Sequence, residues 1–185
     1  FWDVDSGAVM VDGVDIRELG TEQLMSRLSM VFQDVYLFDD SLIANIRVGR
    51  PDASDEEVFR AADLSGVTSI ANRLGWHTPV GEGGRLLSGG ERQRVSVARA
   101  LLKQAPIVLF DEATSALDAE NEANILAAMD ELREQSTFIV IAHKLDTIKS
   151  ADQIVVLDEH GQVSQLGTHS ELSDVPGIYR HFWQQ

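Results

Sequence analysis

Apolar and polar residues recur along this chain with two different periods, and together they predict an α/β fold. From residue 88 to Pro106, apolar residues recur every three or four positions, which predicts an amphipathic helix that the proline ends. The apolar run 107–110 then has the length of a strand covered on both faces. Two more apolar runs, 138–142 and 154–157, alternate with helical segments, so we expect right-handed crossovers and a parallel sheet.

The rest of the chain predicts shorter elements. Residues 7–16 alternate around Asp12-Gly13, which is typical of a hairpin turn. Residues 64–86 predict a mixture of helix and loop. The other predicted elements are a strand at 29–33, helices at 21–28, 41–47, 55–62, 118–134 and 146–150, and a helical tail after the capping-box spacing of Thr168 and Glu171.

The strongest local pattern is Leu87-Ser88-Gly89-Gly90-Glu91 at the start of the long helix. Ser88 and Glu91 have the S-x-x-E spacing of a capping box, and most matches to that spacing only cap a helix. Gly89 and Gly90 carry no side chains, so a phosphate can approach the backbone N–H groups at the positive end of the helix dipole. Because two glycines are unfavourable in a first turn, we interpret this pattern as an anion site.

Polar side chains follow three of the predicted strands, where an open parallel sheet binds its ligands. They are Gln33, Asp111 with Glu112, and His143. For phosphoryl transfer, Asp111 would hold Mg²⁺, Glu112 would orient or deprotonate water, His143 would donate near the terminal phosphate, and Gln33 would contact metal and water. The structural alternatives are a turn-capping aspartate and a structural histidine.

These strings resemble the motifs of ATP-binding-cassette (ABC) ATPases. Residues 87–91 are similar to the signature motif, 107–112 to a Walker B motif with its catalytic glutamate, and 113–118 to the D-loop. Gln33 resembles the Q-loop glutamine and His143 the switch histidine, and all five motifs occur in the order of the family. The resemblance implies a P-loop NTPase-like parallel sheet with a helical signature subdomain, and ATP and Mg²⁺ as cofactors.

Three further strings resemble exporter-type members: 78–84 the X-loop, 37–46 the segment after the Q-loop, and 167–172 the usual ending. The resemblance implies a transmembrane domain on the same polypeptide and a place at the cytoplasmic face of a plasma or inner membrane. Residues 33–45 and Glu82 would face its coupling helices, although Glu82 alone is equally a solvated loop charge.

The resemblance also implies a second nucleotide-binding domain, identical or different, facing the first head to tail. Ser88, Gly89 and Gly90 of one domain would close over the γ-phosphate held by the other, and Asp118 would lie near the seam. ATP hydrolysis would then drive substrate translocation.

The resemblance predicts a partial domain over 1–185, with 1–33 and 104–185 as catalytic core and 34–103 as the helical subdomain. The phosphate loop G-x-x-x-x-G-K-[ST] does not occur in this sequence, and the chain begins at Phe1. We therefore expect a fragment without the N-terminal strands and phosphate loop. By itself it would bind ATP poorly, be marginally stable and be inactive.

The composition and net charge of the chain argue against several kinds of structure and binding. The chain has 185 residues, 44% of them hydrophobic and 24% charged, and no apolar run approaches the ~20 residues of a membrane span. Without cysteine it has no disulfides and no thiolate metal sites. The net charge of −15 argues against nucleic-acid binding. The basic cluster of residues 92, 94, 99 and 103 is too small to change that.

Two alternative functions remain. The first is an ABC ATPase that moves no solute, such as a chromosome-maintenance or ribosome-associated member. The chromosome type carries a long coiled coil between Q-loop and signature, whereas here only residues 34–86 separate them, and the acidic charge argues against a DNA or ribosome surface. A non-hydrolysing binding or regulatory fragment is compatible with the missing phosphate loop, but Glu112 argues for hydrolysis. The sequence indicates neither the transported substrate nor the direction of transport.

Overall fold

The structure is a computed structural model that describes residues 4–111, 119–141 and 148–184. Its helices are α1 Thr21–Arg27, α2 Leu42–Arg47, α3 Asp55–Leu64, α4 Val67–Leu74, α5 Gly89–Lys103, α6 Ala119–Gln135, α7 His169–Asp174 and α8 Ile178–Trp183, with short 3-10 turns at Ile16–Glu18 and Glu82–Gly84. Its strands are β1 Met10–Val11, β2 Val14–Asp15, β3 Leu28–Val31, β4 Ile107–Asp111, β5 Thr137–Ile141, β6 Ile154–Leu157 and β7 Val163–Gly167. The chain divides into two compact units, residues 1–139 and 140–185.

The predicted hairpin at the start of the first unit is confirmed. Strands β1 and β2 pair antiparallel, with Val11 opposite Val14. Asp12 and Gly13 between them have φ of 51° and 77°. Positive φ at both central residues is the backbone of the two-residue turn that matches strand twist, which is why the Asp-Gly pair predicted it.

The central sheet has the strand order β3-β4-β5. Strands β3 and β4 run parallel in a register that sets Val31 opposite Phe110, which confirms that the sheet is parallel at this pair. The ring of Phe110 lies 5.6 Å from that of Phe138 on β5. The interpretation of the apolar run 138–142 as a buried strand was wrong for one face of β5, because Ile139 and Ile141 are 50% and 59% exposed. Only one of its faces is covered by the described residues.

Helix α5 is the centre of the helical region, and α2, α3 and α4 pack around it. Its buried residues include Val95, Ala98 and Leu101, which have the spacing that predicted the helix. Gly49, just after α2, approaches α5 so closely that an added Cβ would lie 2.3 Å from the Arg99 carbonyl oxygen. Backbone therefore meets backbone at this point, and the contact sets the distance between the two helices.

In the second unit, β6 pairs antiparallel with β7. The apolar run 154–157 was predicted as a strand of the parallel sheet, and that parallel pairing is not found among the described strands. Strand β7 was not predicted, because its residues include a serine, a glutamine and a glycine rather than an apolar run. Thr168 and Glu171 form the predicted capping box at the start of α7. Ile154, Leu172 and Tyr179 make the core of this unit. The described part of the chain contains no helix long and apolar enough to cross a membrane.

Candidate functional site

The first turn of α5 has the predicted capping box. Ser88 Oγ accepts a hydrogen bond from the Glu91 amide at 3.2 Å, and Glu91 Oε2 accepts one from the Ser88 amide at 2.8 Å. Two amides that a helix start leaves unpaired are thereby satisfied. This fixes the direction in which the first turn points.

The glycine backbone of this turn is open to a ligand. Ser88 and Gly89 are exposed and Gly90 is half-buried. A Cβ added to Gly89 would meet only the Arg92 guanidinium, 4.0 Å away, so nothing in the described residues fills the space beside this backbone. An open backbone at the positive end of a 15-residue helix fits an anionic phosphate.

Glu91 is held as a carboxylate beside this turn. Burial raises its pKa, but hydrogen bonds from the Ser88 amide and from Arg73 lower it more, so the pKa of Glu91 lies below its ordinary value. The Arg73 guanidinium also forms an ion pair with it. The capping interaction is therefore fully formed at neutral pH.

Two predicted site residues follow the paired strands β3 and β4. Asp111 is the last residue of β4 and is half-buried. The strand predicted to reach Gln33 ends at Val31, so Gln33 lies in the exposed turn beyond β3. Because β3 and β4 are parallel with Val31 opposite Phe110, both residues follow the same edge of the sheet.

The donor set at this edge is a carboxylate and an amide, which suits a hard cation such as Mg²⁺. Within the described residues, no group of three or more histidine, aspartate or glutamate side chains is placed to hold a metal ion. Asp111 and Gln33 would thus need further oxygen ligands from phosphate and water. The other predicted site residues, Glu112, Asp118 and His143, lie outside the described residues and stay predictions.

A hydrogen bond connects the signature helix to the residue before Gln33. Gln93 Nε2 donates to the Phe32 carbonyl oxygen at 3.3 Å, and Gln93 is buried. Gln93 is not among the site residues predicted from the sequence. The available signal was its spacing, since Gln93 lies four and seven positions before the apolar Val97 and Ala100 and therefore shares their side of the helix.

The basic residues of α5 donate hydrogen bonds to backbone carbonyls, and Arg94 is buried while Arg92, Arg99 and Lys103 are half-buried. Arg94 Nη1 donates to the Gly66 carbonyl at 2.9 Å and Lys103 Nζ to the Met25 carbonyl at 2.8 Å. Arg99 also donates to backbone carbonyls, and burial lowers its pKa to about 10. These side chains therefore hold α5 to the backbone of neighbouring segments.

The segment after Gln33 and the loop before the signature meet at the surface. The Tyr36 hydroxyl donates a hydrogen bond to the Glu82 carboxylate, which raises the pKa of Tyr36. Tyr36 and Phe38 are 55% and 52% exposed, and their rings stand edge to face with centroids 5.8 Å apart. Two neighbouring exposed aromatic rings are typical of an interaction surface.

The sequence of this chain is similar to those of known ABC transporters. The ABC transporter family profile matches residues 2–115. An ATP-dependent lipid A-core flippase from Neisseria meningitidis serogroup A is 45% identical over 97% of this chain and 29% of its own length. A second flippase of that name, from Vibrio vulnificus strain CMCP6, is 47% identical over 97% of this chain and 31% of its own.

The fold also matches a solved structure. A bacterial Atm1-family ABC exporter with ATP bound superimposes with a TM-score of 0.93 at 43% identity, covering 99% of this chain and 32% of the exporter chain. This chain thus spans about a third of the length of the relatives that it matches.

Proposed function

The chain belongs to the ABC transporter family, and from that membership we propose that it is the ATP-hydrolysing motor part of an exporter-type transporter. Such a motor couples the association of two nucleotide-binding domains and the hydrolysis of ATP to substrate movement across a membrane. The observation that carries the proposal is the first turn of α5, where a complete capping box presents an open glycine backbone. An anion site of this kind suits a nucleotide phosphate.

We assign the chemistry of the sheet edge as follows. Mg²⁺ bound there would neutralise charge on the phosphates. Asp111 would hold the ion, partly through water, and the amide of Gln33 would contact the ion and the attacking water. Glu112 would accept a proton from that water at its carboxylate, and His143 would donate a hydrogen bond near the terminal phosphate. The order of these residues along the chain and the parallel pairing of β3 with β4 support this assignment.

A second nucleotide-binding domain is the first proposed partner. Ser88, Gly89 and Gly90 would close over the γ-phosphate held by that domain, and Asp118 would lie near the seam between the two. The exposure of Ser88 and Gly89 supports this role, since a second domain can reach their backbone.

The second proposed partner is a transmembrane domain on the same polypeptide, which would hold this chain at the cytoplasmic face of the membrane. Residues 33–45 and Glu82 would meet its coupling helices, and the exposed rings of Tyr36 and Phe38 support that contact. We propose the division into a catalytic core, 1–33 with 104–185, and a helical subdomain, 34–103.

The segment between Q-loop and signature weighs against a chromosome-maintenance type. Residues 34–88 are described throughout, and their helices α2, α3 and α4 have 6, 10 and 8 residues. Helices of this length are too short to form a long coiled coil. A transport-coupled motor therefore fits better than a non-transport ATPase.

ATP turnover by the complete polypeptide in lipid vesicles tests the proposal. We expect Mg²⁺-dependent hydrolysis, and replacing Glu112 with glutamine should abolish turnover while ATP binding persists. Glu56→Gln, at an exposed position in the first turn of α3, is the matched control and should hydrolyse ATP normally. Absence of hydrolysis by the unaltered protein would refute the motor function, and turnover by the Glu112 variant would refute only the base assignment.

A further inference from the structure

We propose that Arg99 and Asn45 form a positioning pair, which fixes the 36–45 segment and the loop at 78–82 to the signature helix so that they move as one body. The pair touches no reacting group. It determines whether a displacement of the exposed 36–45 segment reaches the first turn of α5. Its role in transport rests on the proposed function, whereas its role in the structure does not.

Arg99 uses all three of its guanidinium nitrogens on this segment. Its Nε donates to the Asn45 carbonyl oxygen at 2.7 Å, its Nη2 to Asn45 Oδ1 at 2.8 Å, and its Nη1 to the Tyr36 carbonyl oxygen at 3.0 Å. All three acceptors are uncharged. A planar guanidinium can span three acceptors in fixed directions, which a single ammonium group cannot do.

The Asn45 side chain in turn holds the loop before α2 by hydrogen bonds to its backbone. Its side chain is fully buried, and Oδ1 also accepts from the Phe38 amide at 2.9 Å. The two N–H bonds of Nδ2 are shared among the carbonyl oxygens of Phe38, Asp40 and Ser41, which lie 3.0, 3.3 and 3.1 Å from Nδ2. One buried amide thus satisfies an irregular loop that has no strand or helix to pair with.

The loop at 78–82 joins this network on the other side. The Val80 amide donates to the Asp40 carbonyl at 3.0 Å, and the Tyr36 hydroxyl donates to Glu82. The chain then enters α5 within a few residues. The exposed segment is therefore attached to the signature helix twice, through the loop and through Arg99.

The arrangement explains why a charged residue occupies the packed side of α5. Arg99 also lies 5.9 Å from the centroid of the exposed Phe38 ring, so it supports the surface from beneath. Irregular surface segments usually open at little cost. Three hydrogen bonds to a charged group raise that cost here, so the 36–45 segment should resist opening on its own.

Hydrogen exchange on the 185-residue chain tests the structural part. Arg99→Met should raise amide exchange in 36–45 about ten-fold, as expected for losing hydrogen bonds to a charged group, while α3 changes little. Arg99→Lys is a milder variant that can be used if Arg99→Met does not fold, and it should keep only part of the protection of the 36–45 amides. Arg60→Met, at an exposed arginine of α3, is the control. Unchanged exchange in 36–45, or an equal rise in α3, would overturn the proposal.

A double-mutant cycle tests the pairing and its role. In the complete polypeptide, Arg99→Met and Asn45→Ala should each lower the kcat of ATP hydrolysis and leave the KM for ATP within about two-fold. The kcat of the double variant should be no lower than that of the more impaired single variant, because either substitution alone already disrupts the Arg99–Asn45 contact. Additive decreases in kcat, or a rise in KM with kcat unchanged, would overturn the proposal that Arg99 and Asn45 act as a pair. If the unaltered protein hydrolyses no ATP, the proposed function fails, while the exchange result still decides the pair.

Discussion

Replacing Gly49 with alanine should destabilise the first unit through one backbone contact. The added Cβ would lie 2.3 Å from the Arg99 carbonyl oxygen and 3.0 Å from the Arg99 Cα, whereas ordinary contact begins at 3.4 Å. Since the obstacle is backbone, no side chain can rotate away, and α2 must move about 1 Å from α5. Overpacking of this kind costs about 1–3 kcal/mol, and the lower entropy of the unfolded alanine chain offsets about 0.4–1 kcal/mol of it.

We therefore expect Gly49→Ala to lower the free energy of unfolding by about 2 kcal/mol, measured by urea denaturation followed by far-ultraviolet circular dichroism. The thermal midpoint should fall by roughly 4–8 °C for a chain of this size. Gly20→Ala is the matched control, because a Cβ there meets nothing within 4 Å. A Gly49 variant as stable as the Gly20 variant would show that α2 and α5 are not held at this distance, and the reasoning would be refuted.

Three further predictions concern the polar contacts. Ser88→Ala should cost about 1 kcal/mol in the same urea assay, since the cap of α5 is lost; a variant as stable as the parent would contradict the cap. The folded pKa of Glu91 lies below the ordinary 4.5, so its contribution to stability is complete above pH 4.5 and is lost as the pH falls through the folded value. Glu91→Gln should flatten that acid decline, and an unchanged pH profile would refute the assignment. Glu82→Gln should lower the pKa of Tyr36 toward 10.0, seen by phenolate absorbance in a Tyr179→Phe background; an unmoved titration would refute the hydrogen bond.

The local elements could be predicted because their signals are local. A two-residue hairpin turn requires positive φ at both central residues, and Asp12 and Gly13 are of the residue types that tolerate it. The S-x-x-E spacing of Ser88 and Glu91 likewise requires only a helix start. The parallel sheet followed from the alternation of apolar runs with helical segments, whereas the pairing of β3 with β4 within that sheet was not predicted.

The contacts between elements could not be predicted from the sequence. Arg99 belongs to a cluster of basic residues that composition alone presents as surface charge, and only the fold shows its guanidinium aimed at backbone carbonyls. Gln93 and Asn45 gave no signal beyond a polar residue near an apolar stripe. The exposure of Ile139 depends on which faces of the sheet are covered, and periodicity does not determine that.

The inward use of the basic residues of α5 has a consequence for how two copies of this chain approach each other. Arg94, Arg99 and Lys103 direct their charges at internal carbonyls, so the remaining surface is more acidic than a net charge of −15 suggests. Two such surfaces repel over distances up to the Debye length, about 10 Å at 0.1 M salt. Added salt should thus speed their encounter, whereas the encounter of oppositely charged proteins slows with salt.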